Sequence, residues 1–213
     1  MTFAPDAAIV LGDNHDLPLI YKDMEQQFPP CELYTFQRLV QLVNNNQYKI
    51  LLYRRLSDDE LIGYALVYTM EDCNILWLDY IAVLKKHQSC GYGSALFRAL
   101  WQKYCGPFDG ILFSVEYVSK TDPALARQQT LRIRFYERLG AHRLHAKFLL
   151  PCDSGSFPMH LYFKPRCGYI TISRSVQMHA ISQMYDYCFF YLKHRRELLP
   201  KFRDSIVDEK FTV

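Results

Sequence analysis

With 213 residues, 50% of them hydrophobic and 22% charged, the chain is long enough for one well-cored domain of ordinary globular composition. A formal net charge of +3, carried by scattered basic residues, gives no basis for nucleic-acid binding. Asp79 and Lys85 keep the longest apolar run below membrane-spanning length, and the N-terminus has Asp6, Asp13 and Asp16 in place of a basic leader. Seven cysteines, an odd number without metal-type pairs, point to reduced thiols in a cytoplasmic protein with no membrane partner.

In chain order, residues 1–17 read as irregular. Residues 18–27 and 32–43 carry helical patterns on either side of Phe28-Pro29-Pro30, where two prolines forbid a continuous helix. In the second, Leu33, Phe36, Leu39, Val40 and Val43 form one apolar stripe. Asn44-Asn45-Asn46 is a turn, and residues 48–56 and 61–70 read as antiparallel strands joined by Ser57-Asp58-Asp59-Glu60. Residues 74–83 are a nearly unbroken apolar run, as expected for a strand buried on both faces. A basic connector, Leu84-Lys85-Lys86-His87, leads to Gln88-Ser89-Cys90-Gly91-Tyr92-Gly93-Ser94. A helix follows, with Leu96, Ala99, Leu100 and Tyr104 at helical spacing, and Gly106-Pro107 ends it.

Residues 111–118 form a strand with Phe113 and Val115 on one face and Ser114 and Glu116 on the other. Asp122-Pro123 starts a helix, with Asp as N-cap and Pro at the first helical position. It runs to Leu139 with Leu131, Phe135 and Leu139 in line, and Gly140 is its C-terminal cap. Residues 141–150 and 159–164 read as a last hairpin around a connection at 151–158. Between residues 175 and 194, Met178, Ile181, Tyr185, Cys188 and Leu192 recur at three and four. The partner of that amphipathic helix is either intramolecular or a second copy in a homodimer, and the charged tail from Arg195 is expected to fray.

The strand, glycine loop and helix around residues 88–94 would offer free main-chain N–H groups and the positive end of a helix dipole to an anion. A Cβ at Gly91 or Gly93 would hold the backbone away from such a ligand. The alternative is a glycine turn that binds nothing. A dinucleotide fingerprint needs a further glycine where Leu96 stands, and a P-loop needs a Gly-Lys-Ser/Thr that is absent. Cys90 sits where a thiolate is favoured, although loop variability explains it better than nucleophilic catalysis. There is no Gly-x-Ser-x-Gly, and the seven histidines show no zinc spacing, so no metal is assigned.

Gln88-Ser89-Cys90-Gly91-Tyr92-Gly93, after a strand ending Ile81-Ala82-Val83, resembles the acyl-CoA loop of the GCN5-related N-acetyltransferase (GNAT) family, Arg/Gln-x-x-Gly-x-Gly/Ala. Arg134-Phe135-Tyr136-Glu137-Arg138-Leu139-Gly140-Ala141 resembles the same family's Phe-Tyr-Glu-x-Leu-Gly-Phe segment. The resemblance covers residues 48–164. It implies a single α/β domain over residues 1–213, with a mixed, bent central sheet flanked by helices and an extra C-terminal helical extension from residue 168. It also implies transfer of an acetyl group from acetyl-CoA to a primary amine by direct attack in a ternary complex. On this reading Gln88, Ser89, Cys90, Gly91, Tyr92, Gly93 and Ser94 cradle the pyrophosphate. The main chain of Ile81, Ala82 and Val83 meets the pantetheine arm, and an N–H near Ile81 steadies the oxyanion. Gln129 stands where the family commonly has a pantetheine-contacting asparagine, and Phe135 joins the cofactor contacts.

Tyr136 would protonate the departing thiolate, since a phenol is protonated at neutral pH; alternatively it is a core aromatic. Glu116 is a candidate general base, or else a strand-end carboxylate paired with Lys120 or a helix arginine. Asp79 is a second candidate base, or half of a buried ion pair. The acceptor, a small-molecule or peptide amine, would be shaped by residues 18–43, 151–158 and the last helix. In the family the helices at this place pack and also wall that pocket, so Phe28 and Tyr34 are expected to do both jobs. A non-catalytic acyl-CoA sensor or scaffold with the same fold is the rival reading.

Overall fold

The computed structural model describes residues 6–104, 106–166 and 171–211. The fold is α/β: a central, mostly antiparallel sheet is flanked by helices, with six α-helices among the described residues. The chain forms two compact units, one holding the residues up to Thr69 with Leu78–Pro107, the other Met70–Trp77 with the residues from Phe108 onward. Residue 168, the expected start of a C-terminal extension, lies outside the described residues.

The first unit contains β1 (Ala7–Gly12), α1 (Leu17–Gln27), α2 (Phe36–Val43), β2 (Tyr48–Arg55), nearly all of β3 (Leu61–Met70), the Leu78–Val83 part of β4 (Ile75–Val83), and α3 (Tyr92–Tyr104). β1 pairs antiparallel with β2 from Ala7↔Arg55 to Gly12↔Ile50, and β2 with β3 from Tyr48↔Tyr68. Residues 7–12 are therefore a strand where the sequence reads as irregular. Ala-Ala-Ile-Val-Leu-Gly is uniformly apolar and shows no alternation, so its partner β2 decides its conformation. α1 buries Leu17, Ile20 and Met24 on one face, each worth about 1.5–3 kcal/mol. It ends at Phe28, extended at φ −113° and ψ 140°, as the residue before a proline prefers.

α2 is shorter than the helical pattern over 32–43. Thr35 caps it by accepting the Arg38 N–H at 3.3 Å, and the Tyr34 N–H goes to the Tyr80 phenol at 3.1 Å. Its buried face is Arg38, Leu39 and Leu42, while Phe36 is exposed and meets Tyr21 edge-on at 5.3 Å. α3 buries Leu96, Phe97 and Leu100, and its Lys103 Nζ donates to the Ile9 carbonyl at 2.8 Å.

The second unit contains Ile75–Trp77 of β4, β5 (Gly110–Glu116), α4 (Pro123–Arg138), β6 (His142–Arg143), β7 (Leu149–Cys152), β8 (Gly155–Pro165), β9 (Thr171–Ile172), α5 (Arg174–Cys188), α6 (Leu198–Phe202) and β10 (Glu209–Lys210). β5 runs parallel to β4 from Ile75↔Gly110 to Trp77↔Leu112, and antiparallel to β8 along its whole length. Asp122 caps α4 by accepting the Ala124 and Leu125 N–H groups at 2.9 and 3.0 Å, and Gly140 ends it at φ 80°. The packing face of α4 departs from the Leu131, Phe135, Leu139 line. Leu131 is 57% exposed, and Gln129 and Tyr136 are the buried residues of the helix.

The β7–β8 hairpin turns after Cys152, so Pro151 and Pro158 are strand residues, opposite Ser156 and Leu149, rather than the ends of a connection. β7 pairs only with β8 among the described residues, and proline is tolerated where its missing N–H has no ladder partner. α5 stops at Cys188, short of residue 194, and finds its partner within its own chain. Tyr185 donates its phenol to the Leu149 carbonyl and Gln183 donates to Asp72 at 3.0 Å. The tail does not fray as its charge suggested: α6 buries Leu198 and Phe202, β10 pairs with β9, and Arg195 and Arg196 each reach Asp186 at 2.9 Å. The five described cysteines are free thiols, and no helix among the described residues is long and apolar enough to cross a membrane.

Gly63 shows how tightly β3 and β4 approach: a Cβ there would lie 2.5 Å from the Ala82 carbonyl oxygen. Gly63→Ala is expected to destabilise by about 2–3 kcal/mol, lowering Tm by about 5–10 °C. At Gly106 a Cβ meets nothing within 4 Å, so the melting curve of Gly106→Ala should overlie that of the parent.

Candidate active site

In the first unit the chain leaves β4 through one turn of 3-10 helix, Lys85–His87, anchored by Glu60. That carboxylate pairs with Lys86, lies 3.3 Å from His87 Nε2 and 2.6 Å from Arg55. The Lys86 hydrogen bond is the main cause holding Glu60 below the usual carboxylate range. The anchor is therefore intact above that range and is lost as pH falls through the lowered value.

Ser89 at φ 63° and Gly91 at φ 83° are both left-handed. They deliver the chain into α3, whose own ladder opens with the Ala95 N–H on the Gly91 carbonyl at 3.3 Å. The amides of Tyr92, Gly93 and Ser94 lie ahead of that ladder, at the positive end of the helix. A Cβ on Gly91 would meet no atom within 4 Å, so glycine is required here by φ, and the space before the loop is open. Gln88, Ser89, Cys90 and Gly91 are exposed. Convergent amides, a helix terminus and an open cradle suit a compact dianion such as a pyrophosphate.

Side chains far apart in the chain fix the start of this loop, and no motif signals them. Gln88 Nε2 donates to Gln27 Oε1 at 2.9 Å and to the Val83 carbonyl at 3.1 Å. Gln27 Nε2 donates to the same carbonyl at 3.1 Å and to Asp23 Oδ2 at 2.5 Å. Asp23 also accepts the Tyr64 phenol at 2.8 Å; burial first, and Asp23 second, push the Tyr64 pKa up.

On β4, Asp79 is half-buried and accepts the Tyr48 phenol at 2.5 Å. Ala82 is buried, while Ile81 and Val83 are half-buried. Tyr80 donates to the Glu32 carbonyl at 2.6 Å and packs edge-on against Phe28 at 5.0 Å and Tyr34 at 5.6 Å. Phe28 and Tyr34 thus share one aromatic cluster, the packing role expected of them beside pocket lining.

In the second unit, Tyr136 is 7% exposed, its ring 4.5 Å from Phe113 and 5.0 Å from the half-buried Phe135. Burial pushes its pKa up to about 12; Arg132 opposes this and Glu116 reinforces it. The phenol is therefore a proton donor throughout the neutral range. Glu116 pairs with Arg132, one turn before Tyr136 on α4, which is the helix-arginine partner its position allowed. Gln129 is buried and accepts the Ser119 N–H at 2.6 Å, so its carbonyl oxygen holds the β5–α4 connection. His160, opposite Val115 in the β5–β8 ladder, carries no motif signal. Its ring lies 4.1 Å from Tyr117, and burial, with Arg143 second, lowers its pKa, so it is a neutral imidazole near pH 7.

Residues 46–140 match the family model described as the acetyltransferase (GNAT) domain. Over that stretch the chain is similar to the GNAT acetyltransferase domain. The motif at 88–94 falls within the GNAT match and that at 134–141 falls within it as far as Gly140, whereas His160 and the α5–α6 segment lie beyond it. Among solved structures, a putative GNAT-family acetyltransferase from Bacteroides thetaiotaomicron is similar over 87% of this chain and 99% of its own, with TM-score 0.66 and 17% identity. A spermidine N-acetyltransferase SpeG variant from Vibrio cholerae has TM-score 0.59 and 14% identity over 77% of this chain and 96% of its own. NAA60 from Arabidopsis thaliana, in complex with acetyl-CoA, has TM-score 0.54 and 16% identity over 74% and 97%. At these identities the likeness is one of fold. No curated protein matches the chain by sequence.

Gly91→Ala tests the GNAT loop geometry. Because only φ is strained, the variant is expected to fold with a loss of about 1–2 kcal/mol, or about 2–8 °C in Tm. Calorimetry showing no loss would mean that residue 91 does not hold the left-handed conformation.

Proposed function

We propose that this protein is an N-acetyltransferase that moves an acetyl group from acetyl-CoA to a primary amine. The observation that carries the proposal is the left-handed turn at Ser89 and Gly91, which presents the Tyr92, Gly93 and Ser94 amides within a matched GNAT domain. Gln88–Ser94 would hold the pyrophosphate, and the main chain of Ile81, Ala82 and Val83 the pantetheine arm. Phe135 adds contact area, and Gln129 acts through the Ser119 backbone. Bound acetyl-CoA supplies a thioester, an electrophilic carbonyl with a thiolate leaving group. As the amine nitrogen bonds to the acetyl carbon and the C–S bond breaks, the Ile81 N–H steadies charge on the carbonyl oxygen and Tyr136 gives its proton to sulfur. The amine's proton goes to Glu116, whose pair with Arg132 opens or relays through water, or else to Asp79. Free cysteines accord with a cytoplasmic location.

A second reading, an acyl-CoA sensor or scaffold without turnover, draws support from that same Glu116–Arg132 pair, because an ion-paired carboxylate is a poor base. Both readings predict that acetyl-CoA at a hundred times its Kd adds about 2.7 kcal/mol, a Tm rise of about 5–10 °C, and that Gly91→Trp abolishes it. Turnover with spermidine or peptide amines would select the enzyme, and binding without turnover the sensor. For the enzyme, Tyr136→Phe should lower kcat about 10²–10⁴-fold while sparing acetyl-CoA affinity. Since the phenol stays protonated until about pH 12, the pH–rate profile should show no fall due to Tyr136 between pH 8 and 10.

A further inference from the structure

The last turn of α1 is tied to the first residue of the glycine loop through a side chain that uses both of its N–H donors and its carbonyl oxygen there. Gln27 accepts from Gln88 Nε2 through Oε1 at 2.9 Å, and through Nε2 it donates to the Val83 carbonyl at 3.1 Å and to Asp23 at 2.5 Å. Gln88 closes the figure by donating to the same Val83 carbonyl at 3.1 Å. The other end rests on rigid ground: Asp23 accepts the phenol of Tyr64, a fully buried residue of β3. The order of contact is therefore β3, Asp23, Gln27, Gln88, and then the left-handed Ser89.

We propose that Gln27 is a positioning residue for the acyl-CoA loop, coupling α1 to the backbone that receives the pyrophosphate. The inference rests on the acetyltransferase reading of that loop. Only glutamine fits the place: an alanine makes none of the three bonds, and a glutamate would set a carboxylate against Asp23 and the Val83 carbonyl with no proton to give. Without Gln27, Gln88 and the residues leading to Ser89 sample more conformations. The ligand must then order them on binding, which weakens affinity without touching the reacting atoms. Coupling of this kind is reciprocal, so a ligand on the loop must also steady α1.

The test uses the full chain, with acetyl-CoA as probe. Hydrogen exchange should show acetyl-CoA slowing amides in residues 19–27 as well as 84–94 of the parent protein. In Gln27→Ala the protection of 84–94 should persist while that of 19–27 is lost. The Kd should rise about 5–20-fold, and the kinetic loss should appear in KM for acetyl-CoA rather than in kcat. Gln27→Glu should be no better than alanine. The double variant Gln27→Ala/Gln88→Ala should bind no more weakly than the worse single variant, because both remove the same contact. Affinity and α1 protection unchanged in Gln27→Ala, or additive losses in the double variant, would overturn the coupling while leaving the activity standing. A parent protein that does not bind acetyl-CoA by calorimetry would overturn both together.

Discussion

A buried strand that must become a helix within a few residues is the constraint on which the first unit depends. β4 ends at Val83 and α3 begins at Tyr92, and the junction is made by placing Ser89 and Gly91 in the left-handed region. That conformation is unfavourable for a side-chain-bearing residue, and here Ser89 adopts it too. The surroundings hold it in place: Glu60 grips Lys86 on one side, and Gln27 grips Gln88 on the other. Strain kept at a loop by contacts outside it is a common arrangement where main-chain amides have to face a ligand. A strand-to-helix reversal of this kind turns main-chain amides outward without any lysine or arginine inside the loop, the arrangement on which the proposed pyrophosphate site rests.

The second unit turns on desolvation instead. Burying the Tyr136 hydroxyl among Phe113 and Phe135 raises its pKa and makes it a donor at any physiological pH. Arg132 and Glu116, bound to one another, act on it with opposite sign, and burial, the largest cause, decides the outcome. The same pair restrains the best-placed carboxylate. One ion pair therefore bears on both the acid and the base of the proposed reaction, which is why catalyst and sensor are separated by turnover and not by binding.

Much of the fold was legible locally. Asp122-Pro123 and Gly140 bound α4 as cap chemistry requires, and Phe28-Pro29 stops α1, because such signals act over three or four residues. Where reading failed, a distant partner had overruled the pattern. The Leu131 line on α4 looked apolar, yet the sheet receives the Gln129 and Tyr136 side of the helix. Pro151 and Pro158 looked like the ends of a connection, yet both are strand residues, Pro151 on β7 and Pro158 on β8, opposite Leu149. The charged tail looked frayed, yet Asp186 gathers its arginines and Phe202 goes into the core.

The candidate site divides in the same way. Sequence alone pointed to the glycine loop between strand and helix, the capped helix that carries Tyr136, and the family that both motifs resemble, since each is written in contiguous residues; that Ser89 and Gly91 are left-handed came from the structure. Only the tertiary structure decided that Glu116 is held by Arg132, that the Gln129 oxygen is spent on Ser119, and that Gln27 reaches Gln88 and Val83. These contacts join polar groups far apart in the chain, and no local propensity ranks one partner above another. Burial forces such groups to find hydrogen bonds, but packing alone chooses with whom.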